Sequence, residues 1–265
     1  MSSIGEVFAR CKSEKRAAFI PYLTGGDPDP ATSAELLRAL VRGGADLIEV
    51  GVPFSDPIAD GPTNQRAAKR ALDAGTDLAV VLDLVARVRG ESAVPIVLFT
   101  YLNPILSQGL ETFAGRAKKS GVDGVLCVDL PPDEAAREYL PAMRKHGVDT
   151  VFLLAPTSTS RRIRDAGESS TGFVYYVSRT GVTGTRDDVR SGLKAEVKRI
   201  RRRLDLPVAV GFGISTPDQV GEVGRIADGV VVGSALVRLI ESGMDGEELS
   251  GAMEARARLL VAALR

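Results

Sequence analysis

The sequence predicts an α/β protein, a TIM (β/α)8 barrel, on three observations. Eight short apolar runs recur along the chain, and amphipathic stretches separate most of them. The runs are almost continuous in valine, isoleucine and leucine, which is typical of parallel strands covered on both faces. The length of 265 residues suits one such barrel. A doubly wound sheet is the alternative, but that fold rarely needs eight strand–helix units.

The eight apolar runs each predict one strand. They lie at residues 18–23, 47–50, 95–99, 124–128, 151–154, 173–177, 208–210 and 230–232. Most strands begin about 20 to 35 residues after the one before, as a repeated strand–helix unit requires. The segment between the second and third strands is longer, and a long segment after a strand is typical of a functional loop.

Helices are predicted from the amphipathic stretches and from their N-terminal signals. Asp29-Pro30 and Thr216-Pro217-Asp218 are such signals. The regular helices lie at 31–42, 78–89, 113–120, 134–145, 194–204 and 219–226. Additional helices are expected before the first strand (4–11), after the second strand (66–74), from Ser234 and at the end (247–264). The chain has no linker-like tract, so residues 1–265 are expected to form a single domain.

Composition and charge exclude several classes of protein. Lys and Arg total 34 and Asp and Glu total 34, which gives zero net charge and opposes binding to nucleic acid or an anionic membrane. No apolar run approaches the roughly 18 residues of a membrane span, and the N-terminus lacks an apolar signal core. Cys11 and Cys127 lie far apart, which indicates a reducing compartment. We expect a cytoplasmic protein.

Several residue types or motifs that particular mechanisms need are missing, and their absence limits the reactions that the protein can catalyse. His146 is the single histidine and lies at the end of a predicted helix, which disfavours a Ser-His-Asp triad and a histidine-rich zinc site. No strand run contains lysine, so a Schiff-base aldolase is disfavoured, and no ligand cluster supports a metal-dependent one. Gly211-Phe212-Gly213 lacks the full dinucleotide spacing. The class of reaction that remains after these exclusions is cofactor-free acid–base chemistry on a phosphorylated substrate.

Small residues follow the seventh and eighth strands, where many barrels bind phosphate. Gly211–Ser215 and Gly233–Ala235 let backbone N–H groups approach an anion, and a helix from Ser234 would direct its N-terminus at it. Tight turns alone would need the same glycines. The loop at 178–184 after the sixth strand is either a lid over the phosphate or an ordinary flexible loop.

Acidic residues cluster around the second strand. Glu49 interrupts an apolar strand, so it lies either in a buried ion pair or in the barrel mouth, where burial would raise its pKa and suit a general acid. Asp56 and Asp60 follow in the next loop, where they either act beside Glu49 or cap turns. Tyr175, near the end of the sixth strand, either faces the site or fills the core.

Residues 47–62 (Leu-Ile-Glu-Val-Gly-Val-Pro-Phe-Ser-Asp-Pro-Ile-Ala-Asp-Gly-Pro) closely resemble the signature of the tryptophan synthase alpha chain family. The resemblance continues at 22–28, 178–184 and 211–215 and covers essentially the whole chain in order. It implies a TIM barrel that cleaves indole-3-glycerol phosphate to indole and glyceraldehyde 3-phosphate. In this chemistry, protonation at indole C3 makes the ring its own electron sink, so neither a Schiff base nor a metal is required.

The resemblance also implies roles for individual residues. Glu49 matches the family's acid–base residue, and Asp60 matches a carboxylate that stabilises positive charge at the ring nitrogen. Substrate contacts are implied at Tyr22, Tyr175, Thr183 and Phe212, and phosphate contacts at Gly184, Gly213, Gly233 and Ser234. The sequence departs from the family at Asn64, where an apolar residue is frequent, and at Tyr22, where Phe is common.

The family works with a beta chain that carries pyridoxal phosphate, usually as an α2β2 complex. The resemblance implies partner contacts at Pro53 and Asp56, with 130–133 as a further candidate, and no cofactor or metal in this chain. Three alternatives stay open: another phosphate-binding barrel enzyme, a free-standing indole-3-glycerol-phosphate lyase, and a non-catalytic barrel that activates a partner. Intact Glu49 and Asp60 oppose the last.

Overall fold

The computed structural model describes residues 2–178, 186–211 and 213–265, of which 186–191 are described by their backbone only. The predicted site residues Thr183, Gly184 and Phe212 therefore lie outside the described residues. The same holds for most of the predicted lid at 178–184.

Eight parallel strands form a closed barrel in chain order, and the last strand pairs with the first. This confirms the predicted TIM barrel. Most strand residues are buried, as the continuous apolar runs require. The strands are β1 (Ala18–Thr24), β2 (Ile48–Gly51), β3 (Ile96–Thr100), β4 (Gly124–Cys127), β5 (Asp149–Leu154), β6 (Val174–Val177), β7 (Val208–Gly211) and β8 (Gly229–Val232).

Thirteen helices within the described residues surround the barrel. They are α1 (Ser3–Ser13), α2 (Pro30–Arg42), α3 (Pro62–Asp73), α4 (Leu78–Arg89), α5 (Leu102–Leu106), α6 (Leu110–Ser120), α7 (Pro132–Ala135), α8 (Tyr139–His146), α9 (Ser160–Ser169), α10 (Arg186–Arg201), α11 (Pro217–Gly224), α12 (Ser234–Ile240) and α13 (Gly246–Ala262). The extra helices α1 and α3 confirm the two additions to the regular barrel. No helix in these parts of the chain has both the length and the apolar character to cross a bilayer.

The helix predictions were wrong in three places. The predicted helix at 134–145 is broken into α7 and α8, because Pro141 lacks an N–H and is accommodated in the first turn of a new helix. No helix was predicted between β5 and β6, yet α9 lies there. Its buried face is only Ile163, Ala166 and Ser169, which is too short an apolar pattern to detect. The short helix α5 was not predicted either.

The predicted N-terminal signals act as helix caps. The carboxylate of Asp29 accepts hydrogen bonds from the backbone N–H groups of Ala31 and Thr32 at the start of α2. Thr216 and Gln219 form a reciprocal capping box at the start of α11. Such caps satisfy N–H groups that have no partner within the helix, so these boundaries are encoded locally.

Helix α1 covers the N-terminal ends of the strands. Its Phe8 ring lies 5.5 Å from the ring of Phe173, just before β6. Phe8 also packs at the start of β8, where a Cβ on Gly229 would lie 3.2 Å from its ring. Ile4 lies in the same way against Gly124 at the start of β4. This end of the barrel is closed by apolar packing, so a ligand must enter from the opposite end.

Candidate functional site

A cavity of about 590 Å³ opens at the C-terminal ends of the strands. Barrel enzymes bind their ligands at this end. The sequence-predicted residues that line it come from β1, β2, β6 and the loops after β2, β7 and β8. They are Tyr22, Glu49, Asp60, Tyr175, Gly213, Gly233 and Ser234. The structure therefore brings together, around one cavity, the two acidic residues on and after β2 and the glycines after β7 and β8, which lie far apart in sequence.

Glu49 is the acidic residue at the base of this cavity. Its side chain projects from β2, and the residue is 1% exposed. One carboxyl oxygen, Oε1, has no hydrogen-bond partner among the described residues. Burial raises the pKa of Glu49 to about 8, and no cation offsets that effect. The buried ion pair considered above is therefore absent from the described residues, and Glu49 carries a proton near neutral pH.

Two tyrosines flank Glu49, and each packs over a glycine of another strand. A Cβ at Gly51 would lie 2.3 Å from the hydroxyl of Tyr22, and a Cβ at Gly211 would lie 2.0 Å from the hydroxyl of Tyr175. Only glycine leaves room for these rings inside the barrel mouth. Because Tyr22 is buried, its hydroxyl needs a hydrogen-bond partner. The hydroxyl of Thr24 lies 3.2 Å away and fills that role.

Asp60 lies at the cavity wall rather than in a turn cap. The hydroxyl of Tyr101 donates to Oδ2 of Asp60 over 2.8 Å and accepts from the backbone N–H of Ala59. The N-cap of α3 is Gly61, a residue that has no side chain with which to cap the helix. Burial raises the pKa of Asp60, while hydrogen bonds from Tyr101 and Asn64 oppose the rise. Asp60 is therefore a carboxylate that the hydroxyl of Tyr101 orients.

Asp56 and Pro53, the predicted partner contacts, lie outside the cavity lining. Asp56 is exposed, and its carboxylate accepts from the Ser55 hydroxyl over 2.6 Å. Pro53 is buried beside β2. Ile58, in the same loop, is 88% exposed. Of the two loop acids, only Asp60 is placed to act beside Glu49, and the Asp56 part of the loop faces solvent.

The glycines after β7 and β8 form the opposite part of the cavity wall. Gly213 has a φ of +76°, a backbone conformation that favours glycine. Gly233 immediately precedes α12, which begins at Ser234 as predicted. Arg238, on the same helix, also lines the cavity. This part of the wall offers backbone N–H groups and a cation, which suits an anionic group of a ligand.

Helix α3, which follows Asp60, is fixed by a charged network. Asp27, fully buried in the loop after β1, accepts two hydrogen bonds of 2.8 Å from the guanidinium of Arg70. Arg70 also donates to Glu241 at the end of α12, and Arg66 joins the same carboxylate. The network ties α3 to β1 and to α12. The position of α3 is thereby set by groups outside the cavity.

Sequence reasoning missed Tyr101 and most of the apolar wall. Tyr101 follows β3 directly, so its place after a strand was a usable signal, but nothing local identified Asp60 as its partner. The apolar wall of the cavity includes Phe99, Val128, Leu153, Val177, Ile214 and Val231. In a sequence, apolar residues that line a cavity cannot be distinguished from residues of the hydrophobic core. Within the described part of the chain, no three His, Cys, Asp or Glu side chains are grouped as a metal site.

Comparisons with known proteins agree on one family. The family model of the tryptophan synthase alpha chain matches residues 8–262. A tryptophan synthase alpha chain of Solibacter usitatus is 53% identical over 260 residues, covering 98% of this chain and 97% of its own. One of Geobacter sulfurreducens is 54% identical over 241 residues, covering 91% of each.

Solved structures agree in fold over the whole chain. Tryptophan synthase subunit alpha of Legionella pneumophila superposes with a TM-score of 0.91 at 35% identity, covering 100% of this chain and 98% of its own. A chain of tryptophan synthase from M. tuberculosis, in an aminoacrylate-bound form, superposes with a TM-score of 0.89 at 37% identity, covering 100% of both chains.

Proposed function

We propose that this chain, which belongs to the tryptophan synthase alpha chain family, cleaves indole-3-glycerol phosphate with Glu49 as its acid–base residue. The family's reaction yields indole and glyceraldehyde 3-phosphate. The observation that best supports the assignment is the buried carboxyl of Glu49, whose pKa is raised to about 8, in the same cavity as Asp60. Two carboxyl groups in different environments can act at neutral pH as a proton donor and as a charged carboxylate.

Glu49 begins the reaction as the acid. It donates its proton to C3 of the indole ring, and positive charge develops at the ring nitrogen. The proton of the side-chain hydroxyl next to C3 then leaves, and the bond between C3 and that carbon breaks. The electron pair of the broken bond restores the aromatic indole, and the carbon becomes the aldehyde of glyceraldehyde 3-phosphate. Glu49, as the carboxylate, accepts the hydroxyl proton and is ready for another cycle.

Asp60 stabilises the charge that forms on the ring. As a carboxylate it accepts a hydrogen bond from the ring N–H, and this bond strengthens as the nitrogen becomes positive. Support comes from the Tyr101 hydroxyl, which donates to Asp60 over 2.8 Å. That donor orients the carboxylate and favours its ionised form. Asp60 is therefore assigned the electrostatic role and Glu49 the proton transfer.

The remaining contacts position the substrate. Tyr22, Tyr175 and the apolar wall hold the indole ring, and Thr183 and Phe212 complete this set by resemblance. Backbone N–H groups at Gly184, Gly213, Gly233 and Ser234 bind the phosphate. The assignment places the ring toward β2 and the phosphate toward β7 and β8, with the breaking bond near Glu49. Orientation of this kind supplies a large share of the rate of an enzyme.

The family implies a beta chain as the partner, and we propose an α2β2 assembly in which Pro53 and Asp56 lie at the contact. Pyridoxal phosphate then belongs to the partner chain, which would consume the indole, and this chain contributes no cofactor. We further propose one domain over residues 1–265 and a cytoplasmic location. The exposed loop that carries Asp56 and Ile58 suits a surface that a partner covers.

The experiment is consumption of indole with glyceraldehyde 3-phosphate by the purified chain, alone and with a tryptophan synthase beta chain. Glu49→Gln is the control. We expect slow consumption alone, a faster rate with the beta chain, and none in the control. Fast consumption alone would favour the free-standing lyase. Consumption in neither condition would contradict the substrate assignment and leave a phosphate-binding barrel.

A further inference from the structure

We propose that Arg238 is the charged contact of the substrate phosphate, and that it sets the affinity for the phosphorylated aldehyde rather than the rate of the chemical step. This deepens the proposed function and rests on its placement of the phosphate beside Gly213, Gly233 and Ser234. Arg238 lies on α12 and lines the same cavity as these residues. It belongs to none of the sequence patterns that predicted the site.

The position of Arg238 on α12 directs its side chain toward the proposed phosphate contacts. Arg238 follows Ser234 by four residues, so the two side chains lie on the same face of the helix. The rise between them is about 6 Å. A helical side chain leaves the backbone toward the N-terminal end of its helix, and a long one extends over the preceding turn. The guanidinium is thus directed back toward Ser234, which agrees with its place in the cavity wall.

The guanidinium of Arg238 is available to a ligand because the next acid along α12 is already paired. Glu241, three residues further on, accepts hydrogen bonds of 2.8 and 2.9 Å from Arg66 and one of 3.0 Å from Arg70. Arg238 is exposed, and it forms no ion pair with any side chain that the structure describes. An unpaired cation beside a cavity favours an anionic ligand there.

The other arginine in the described cavity wall is less well placed for this role. Arg162 lies on α9, which follows β5, whereas the proposed phosphate contacts follow β7 and β8. Its guanidinium also lies 3.7 Å from the carboxylate of Asp133. A phosphate monoester carries a charge of about −1.5 to −2 at neutral pH, which neutral backbone N–H groups do not balance. Arg238 supplies a balancing charge, and the planar fork of an arginine suits phosphate oxygens.

The test measures phosphate affinity apart from the reaction. Binding of glycerol 3-phosphate, which carries the phosphate of the aldehyde product but no aldehyde, is measured by calorimetry on the purified chain. We expect Arg238→Met to weaken this binding about tenfold, as for loss of one charged hydrogen-bond donor. Arg238→Lys should restore part of the affinity, because it keeps the charge. In indole consumption, KM for glyceraldehyde 3-phosphate should rise to a similar extent, while kcat and KM for indole change less than about twofold.

Two further variants and a salt series identify the source of the effect. Arg87→Met removes the same charge from an exposed site on α4, outside the cavity wall, and should leave binding unchanged. Arg162→Met removes the other cation of the wall and should weaken binding less than about threefold. Raising the salt from about 20 mM to about 300 mM should weaken binding more in the original protein than in Arg238→Met, because salt screens the charge that the variant lacks.

Several outcomes would overturn the inference. They are unchanged binding in Arg238→Met, equal losses in Arg162→Met and Arg238→Met, and a loss of kcat with KM unchanged. Absence of glycerol 3-phosphate binding by the original protein would overturn it together with the proposed phosphate contacts. A chain that binds glycerol 3-phosphate through Arg238 but consumes no indole would support the inference and contradict only the proposed reaction.

Discussion

Glu49→Gln separates the catalytic role of Glu49 from its effect on stability. Glutamine keeps the shape of the side chain and cannot supply the proton, so turnover should be lost while the barrel still folds. The same change should alter how stability depends on pH. This follows because the carboxyl of Glu49 is buried and, within the described part of the chain, has neither a neighbouring cation nor a complete set of hydrogen bonds.

The magnitude follows from the raised pKa. Burial raises the pKa of Glu49 from its ordinary value of 4.5 to about 8. Between these values the unfolded chain has lost the proton that the folded chain keeps, so the stability of the native protein is full below pH 4.5 and falls as pH rises to about 8. At about 1.4 kcal/mol per pKa unit, the loss reaches about 3 kcal/mol at pH 7.

The assay is urea unfolding of both proteins at several pH values between about 5.5 and 7.5. The amide of glutamine adds an offset that does not vary with pH, so the slope is the informative quantity. We expect the free energy of unfolding of Glu49→Gln, relative to the original protein, to rise by about 1.4 kcal/mol per pH unit. Glu248→Gln, an exposed change on α13, is the matched control. A difference that is constant over this range would refute the reasoning.

Three further predictions concern the surroundings of Glu49. Asp60→Asn should lower the rate of indole consumption about 100-fold or more, and a loss below about tenfold would return Asp60 to a structural role. Tyr101→Phe removes a donor to Asp60, so the acidic side of the pH–rate profile should move to higher pH; an unchanged profile would contradict this. Gly211→Ala should lower stability by about 1 to 3 kcal/mol through Tyr175, measured by thermal unfolding, and Tyr175→Phe should partly restore it.

The barrel could be predicted because its signals are local. Continuous apolar runs require strands covered on both faces, and the caps at Asp29 and Thr216 are complete within a few residues. The glycines after the seventh and eighth strands and Glu49 could also be predicted as site residues, because their positions near strand ends place them at the barrel mouth. The break between α7 and α8 was missed although Pro141 marks it locally, and α9 was missed because its buried face is only Ile163, Ala166 and Ser169.

The sequence by itself determined the fold class, the end of the barrel that carries the site, and the candidate acids. Only the tertiary structure decided which of those acids share the cavity. Asp56 and Asp60 lie in one loop with similar turn residues, yet Asp60 accepts a hydrogen bond from Tyr101, which follows β3, and Asp56 faces solvent. The pKa of Glu49 depends in the same way on burial, and the orientation of Asp60 depends on a partner distant in sequence, Tyr101. Burial and through-space contacts arise when the barrel closes, and no local pattern encodes them.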